Sequence, residues 1–434
     1  MRRLALGLTA AALAAGLVPF VPGLAAAQPS GIPTFGVQFH ASWSSYTNAQ
    51  RILVLDKLQA AGVTWVRIDM GWASIQEHGR GEVSDWYVER LDFAVDAARD
   101  RGMKVLGTLW GTPSWANGGR SPNAPPLDPA DYAWAANWVA SHFRGRVAAF
   151  EVWNEPNSTR FWTGTTARYV DVLRVAYPGF KAGDPNVKVV LGGPADQDTE
   201  WIGRVYEAGA KPYFDVMGMH AYMSPSDLPP ETDNGTRWTL AGVSRVLDVM
   251  KAHDDGSKEI WFTEYGWSSH PNTGSEQNWD RGVTQAQQAD YLVRSLRYLG
   301  TYRPYVTQVF WYEERNETSG GVHEDNFGLL TSDLVEKPAY AAAKAFLTGD
   351  TPTTITKTVR TRSLSFFAKS LTIPRGSRIK WVNVSQRRHV LVKKGSWSRT
   401  LLPGRTYLRA FRTRGTISYV CRVHAGMKGT IKIV

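Results

Sequence analysis

Between Phe35 and Trp311 eight short apolar runs alternate with helical patterns, and this alternation leaves few folds open. The runs are Phe35-His40, Thr64-Asp69, Lys104-Trp110, Val147-Trp153, Val187-Leu191, Phe214-His220, Glu259-Glu264 and Tyr305-Trp311. Each is short, apolar and bounded by polar residues or glycine, as buried strands are. Helical spacing of apolar residues, closed by glycine, marks Asn48 to Ala61, Asp85 to Arg101 with Ser84 as a cap, Asp131 to Phe143, Thr284 to Leu299 and Lys337 to Leu347. Strict β and α alternation implies a parallel sheet, and eight units imply a (β/α)8 TIM barrel. An open doubly wound sheet is the competitor. The count of eight and the reactive residues at strand ends favour the barrel.

After Gly349 the texture changes. Asp350 to Thr354 reads as a linker. Strand-like runs follow at Leu371-Ile373, Arg378-Val384, His389-Val392, Tyr407-Phe411, Thr416-Val420 and Thr430-Val434, separated by turn signals such as Pro403-Gly404. A small all-β sandwich is expected. At the other end, Met1-Arg2-Arg3 precedes an apolar run from Leu4 to Leu24, and Ala25-Ala26-Ala27 offers a cleavage site. A signal peptide over 1–27 is therefore expected, then a barrel domain at 28–349, a linker at 350–358 and a second domain at 359–434. Pro19 and Pro22 argue against the alternative of a membrane anchor. The expected location is secreted or cell-surface associated, with no membrane span after signal removal.

Charge divides the chain the same way. From Thr351 to Val434 there are 19 Lys and Arg and no Asp or Glu, while Gln28 to Asp350 holds 29 basic and 39 acidic residues. Two surfaces this different meet different partners. The basic part suits anionic cell-wall polymers or acidic polysaccharides; stacking aromatics are too few there for nucleic acid. A monomer is expected.

Two carboxylates stand at strand ends. Glu155 lies in Phe150-Glu151-Val152-Trp153-Asn154-Glu155-Pro156-Asn157 and Glu264 in Ile260-Trp261-Phe262-Thr263-Glu264-Tyr265-Gly266-Trp267. Reactive side chains of such barrels sit at the C-terminal strand ends. A pair of carboxyls, one held protonated and one ionised, is what glycosidic-bond cleavage needs. Glu151 lies within its strand and could face the barrel interior as a structural partner. Of 18 tryptophans, Trp43, Trp72, Trp110, Trp115, Trp162, Trp267 and Trp311 fall at or just past strand ends, and about half of these seven are expected to face sugar.

Trp-Asn-Glu-Pro-Asn and Thr-Glu-Tyr-Gly-Trp make the barrel resemble glycoside hydrolase clan A. Thr112-Pro113-Ser114-Trp115-Ala116 and Asn326-Phe327-Gly328-Leu329-Leu330 resemble family 39 most, with family 5 next. The resemblance implies a retaining enzyme acting on a carbohydrate with β-glycosidic bonds, with Glu155 as acid/base and Glu264 as nucleophile, and no cofactor for hydrolysis. It implies that Asn154 binds the sugar 2-hydroxyl, that His220 and Tyr222 line the site, that Arg67 holds Glu264 ionised, and that Trp311 floors the sugar site.

The only cysteine, Cys421, cannot form an internal disulfide. Cys421, His424 and Met427 are spaced C-x-x-H-x-x-M, and His389 lies upstream. One thiolate, two imidazoles and a weak thioether form a blue-copper donor set, whereas zinc prefers carboxylate to thioether. Trp381-Val382-Asn383, Leu402-Pro403-Gly404-Arg405-Thr406-Tyr407 and the segment from Tyr419 to Gly429 resemble cupredoxins of the plastocyanin and amicyanin type. Val390 departs from that pattern, where relatives carry a bracing asparagine, and Arg387 and Arg388 crowd His389. The alternatives to a copper-bearing glycosidase are a sandwich without copper that only binds, a blue-copper electron-transfer protein whose barrel only binds glycan, and a non-catalytic adhesion protein.

Overall fold

The computed structural model describes residues 28–349, 356–411, 413 and 415–434, so the expected signal peptide lies outside the described residues. Eight strands form a closed parallel barrel in chain order: β1 Thr34–Gln38, β2 Trp65–Gly71, β3 Lys104–Trp110, β4 Ala149–Val152, β5 Lys188–Leu191, β6 Val216–His220, β7 Glu259–Tyr265 and β8 Val306–Trp311. All eight expected runs are strands, and the open-sheet alternative is excluded by the β1–β8 pairing.

The helices follow from local chemistry. The helix Asn48–Ala60 starts at Thr47 and the helix Gln285–Gly300 at Thr284, each with a glutamine three residues on that completes a capping box. Ser84 occupies the N-cap position of Asp85–Arg99, but its side chain makes no capping bond. Helices Thr166–Gly183, Thr199–Glu207 and Val243–Ala252 fill the remaining turns of the barrel.

Side chains plug the barrel in layers. Leu106, Ala149, Val190, Val216, Trp261 and Phe310 form an apolar cluster in the lower barrel, with Trp65 against it. Gly36 leaves room for Phe310: a methyl group there would lie 2.6 Å from its Cδ1. Above this plug the inward side chains become polar and charged, which places the chemistry at the C-terminal ends. A larger core, shared by the strands and the surrounding helices, holds the barrel from outside.

The second unit has two sheets. One contains β9 Thr356–Thr361, β10 Phe366–Phe367, β12 Arg378–Asn383 and β15 Thr406–Ala410 in the order β10-β9-β12-β15. The other contains β11 Ser370–Ile373, β13 His389–Lys393, β14 Trp397–Leu401, β16 Gly415–Cys421 and β17 Lys428–Ile433 in the order β11-β17-β16-β13-β14. Trp381, Leu391, Tyr419 and Ile431 are central to their common core. The expected linker end at 358 falls inside β9. Threonines and cations mask that strand in the sequence, since only Val359 and Thr361 turn inward.

Candidate active site

Arg67 organises the top of the barrel. It is buried in mid-β2, and its guanidinium donates in four directions: Nε to Glu151 Oε2 at 2.8 Å, Nη1 to Gln38 Oε1 at 2.8 Å and Glu264 Oε1 at 2.6 Å, and Nη2 to Asn154 Oδ1 at 2.9 Å. Glu151 also accepts from Thr108 Oγ1 and the Gly193 amide. Glu151 is thus the interior partner of Arg67, and the ion pair is fully desolvated.

Two irregularities bring the strand-end carboxylates inward. Trp153 and Glu155 have φ of 76° and 43°, a left-handed conformation that is rare for a residue as bulky as tryptophan. The burial of Trp153 and the bond from its Nε1 to the Phe161 carbonyl hold this turn. On β7, Met219 pairs with Phe262 but His220 pairs with Glu264, so Thr263 is an extra residue. Such a bulge re-aims the side chain that follows it. One carboxylate oxygen of Glu155, one of Glu264 and a ring nitrogen of His220 consequently lie within 4.8 Å of one another.

Their environments differ. Burial would raise the Glu264 carboxyl, but His220 and Arg67, with a hydrogen bond from Tyr222, hold it below its usual 4.5. Tyr222 donates to Glu264 Oε2 at 3.0 Å. His220 is buried, and its Nδ1 lies 3.0 Å from Glu155 Oε1 and 3.5 Å from Glu264 Oε2. Burial opposes protonation of His220, but the two glutamates raise its pKa. Asn154, whose Oδ1 accepts from Arg67, also lines the cleft.

The cleft encloses about 510 Å³, within the size range of small-molecule sites. Of the seven strand-end tryptophans, Trp43, Trp110 and Trp267 line it. Trp115 does not: its Nε1 donates to the Gln76 carbonyl and its ring packs against Trp72. Nor does Trp311, which is fully buried against Tyr265 and Trp267; the next residue, Tyr312, takes the place in the cleft expected of it. Asp196 is a lining carboxyl that sequence reasoning missed. It follows Gly192-Gly193-Pro194 after β5 and is raised to about 8 by burial, with Glu155 adding to the effect. His40, also missed, lines the cleft with Nδ1 between Glu313 and Glu314 at 3.0 and 3.2 Å. A hollow of about 610 Å³ against Trp65, Trp261 and Gln308 lies at the opposite end of the barrel, away from both catalytic candidates.

A second cluster occupies the C-terminal unit. Cys421 Sγ lies 3.7 Å from His389 Nδ1 and 3.4 Å from His424 Nδ1, and the two Nδ1 atoms are 3.2 Å apart. Met427 is buried in the same loop, and its carbonyl accepts from the Cys421 amide at 2.9 Å. All four residues named from the sequence belong to this one end of the sandwich core or its rim.

A carboxylate pair at the C-terminal face of a closed barrel is an arrangement that glycoside hydrolases use. Residues 25–303 match the family model described as cellulase (glycosyl hydrolase family 5), and the chain belongs to that family. This is the second of the two families suggested by the motifs. Among curated proteins the chain is similar to a beta-xylosidase of Caldicellulosiruptor saccharolyticus, 28% identical over 203 residues, covering 44% of this chain and 39% of that protein. It is also similar to a probable glucan 1,3-beta-glucosidase of Arthroderma benhamiae, 30% identical over 176 residues, covering 37% and 40%. The chain thus spans about two fifths of the length of these relatives. A family 39 glycoside hydrolase from Bacteroides cellulosilyticus has a similar structure, with TM-score 0.59, 25% identity, and coverage of 73% of this chain and 64% of that one.

The electrostatic frame makes a direct prediction. Glu264 should titrate below 4.5. Because its folded value is depressed, its ionised form contributes stability above about 4.3 that is lost as pH falls through the depressed value. Tyr222→Phe should move the titration upward toward the ordinary value, and carboxyl-detected NMR across an acid titration measures it. No movement in that variant would contradict the assigned frame.

Proposed function

We propose that the chain is a secreted retaining glycosidase that cleaves β-glycosidic bonds by double displacement. The observation that carries this is the approach of Glu155 and Glu264 to within 4.8 Å. Retaining enzymes set their carboxyls roughly 5–5.5 Å apart, while inverting ones need roughly 6.5–9.5 Å to admit a water. In the first step the Glu264 carboxylate attacks the anomeric carbon, the bond to the leaving oxygen breaks, and the Glu155 proton passes to that oxygen. In the second, Glu155 takes a proton from water, the hydroxide displaces Glu264, and the carboxylate is regenerated. Arg67 and Tyr222 keep Glu264 ionised, and the Asn154 NH2 donates to the sugar 2-hydroxyl. The names of the curated relatives support β-linked xylose or glucose units as the substrate class.

The roles are separable. Glu264→Ala should lose nearly all turnover, and azide should restore cleavage with inverted anomeric configuration. Glu155→Ala should lose about 10²–10⁴-fold on natural glycans yet retain activity on substrates with activated leaving groups. With the unmodified enzyme, early NMR spectra should contain product of the substrate's own configuration. Near-normal activity of Glu264→Ala, or an inverted first product, would refute the assignment.

For the C-terminal unit we propose a cupredoxin-like domain in which His389, Cys421, His424 and Met427 would hold copper. A trigonal site with metal–nitrogen bonds of about 2.0 Å and metal–sulfur bonds of about 2.3 Å spaces its donors about 3.5–3.7 Å apart. The 3.7 Å separation lies in that range and those of 3.2 and 3.4 Å fall just below it, so a small outward movement of the His424 ring would fit the metal. Bound copper would supply one-electron transfer; no step of hydrolysis needs it. The full chain given Cu(II) should turn blue and Cys421→Ser should abolish the colour, while a colourless wild type would remove copper from this reading.

The same unit is proposed to anchor the enzyme to anionic wall polymers or acidic polysaccharides through its 19 cations. Exposed charges are screened over about 8–10 Å at physiological salt. Retention of the full chain on such polymers should fall steeply across a salt series, and a chain truncated after Gly349 should not be retained. Retention unchanged at molar salt would overturn the anchor.

A further inference from the structure

The donor set at the second cluster is useful to a metal only if each imidazole presents a bare nitrogen to it. For His389 the surrounding hydrogen bonds decide which nitrogen that is. Asn383, at the end of β12, is buried, and its Nδ2 donates to the carbonyls of Arg387 at 2.8 Å and Leu401 at 2.9 Å. Its Oδ1 accepts from the Ser385 amide at 3.0 Å. These bonds fix which end of the amide is oxygen, because an amide N–H can only donate. The Ser385 hydroxyl lies 2.8 Å from that same Oδ1 and 3.3 Å from the Arg387 carbonyl, and it accepts from the Arg387 amide at 3.2 Å. Its other neighbour is His389 Nε2, at 2.9 Å.

The hydroxyl has one proton. If it were given to His389, two oxygens would face each other at 2.8 Å with no hydrogen between them. Given to Asn383 Oδ1, it leaves a Ser385 lone pair toward the ring, and Nε2 must then carry the hydrogen. A neutral imidazole protonated on Nε2 has its free lone pair on Nδ1. That is the atom directed at Cys421 Sγ and His424 Nδ1.

We propose that Ser385, oriented by Asn383, is the positioning residue that presets His389 as a metal ligand: it accepts the Nε2 hydrogen, fixes the ring plane and leaves Nδ1 bare. It thereby supplies the bracing that Val390 cannot. Partners of this kind, behind the ligands themselves, change metal affinity about 10–100-fold when removed. The inference rests on the copper reading for its function, but the tautomer is present without metal, and the two can fail separately.

The test uses the full chain. In metal-free protein with 15N-labelled histidine, long-range NMR correlations should report the Nε2–H tautomer for His389. Cu(II) affinity, measured by competition with a chelator, should fall about 10–100-fold in Ser385→Ala, with a shifted thiolate-to-copper absorption band and altered copper EPR. Ser385→Thr, which keeps the hydroxyl, should restore all three. An Nδ1–H tautomer, or a Ser385→Ala protein with wild-type affinity and spectrum, would overturn the proposal. A wild type that binds no copper yet has the Nε2–H tautomer would instead sink the copper reading and, with it, the assigned purpose of Ser385.

Discussion

A single buried guanidinium makes the top of this barrel possible. Glu151 and Glu264 approach Arg67 from different strands, at 2.8 and 2.6 Å, and Asn154 and Gln38 complete its shell. Carboxylates this close and this dry repel each other and resist ionisation. A cation between them, donating through Nε, Nη1 and Nη2, offsets both costs; removing one partner of such a pair destabilises by about 3–5 kcal/mol. Arg67 therefore has two tasks that cannot be separated. It ties β1, β2, β4 and β7 together through the barrel interior, and with His220 it holds the Glu264 carboxyl below its ordinary range.

The positions of the strands were legible because burial on both faces produces continuous apolar runs. The two glutamates were legible because each stands at the end of such a run or just past it. What one residue of register decides was not. Trp311 is the last residue of β8 and packs away from the cleft, while Tyr312 just beyond it faces inward. A one-residue shift moves a side chain to the other face, and nothing in Phe310-Trp311-Tyr312 states where the strand stops. The extra residue at Thr263 was invisible for the same reason. Asp196 was missed because its importance comes from burial beside Glu155, not from any local pattern.

The C-terminal unit divides similarly. Three of its four proposed copper ligands, Cys421, His424 and Met427, could be grouped by spacing, since they lie in one loop. Its first strand was not, because β9 presents mostly threonine and cations to solvent. Ser385 and Asn383 carry no signature of their own; their role exists only once β12 and β13 bring Asn383 and His389 to the same end of the sandwich. In both units the candidate site residues could be named from the sequence, while neighbours such as Asp196, His40 and Ser385 emerge only from packing.

The central claim is that Glu264 becomes covalently bonded to sugar. Incubation with an activated 2-deoxy-2-fluoro glycoside, whose fluorine slows the second displacement more than the first when the leaving group is good, should inactivate the enzyme. Peptide mapping by mass spectrometry should then place one added glycosyl group on Glu264. Labelling at Glu155, or hydrolysis of substrate with no trapped intermediate on any residue, would contradict the account.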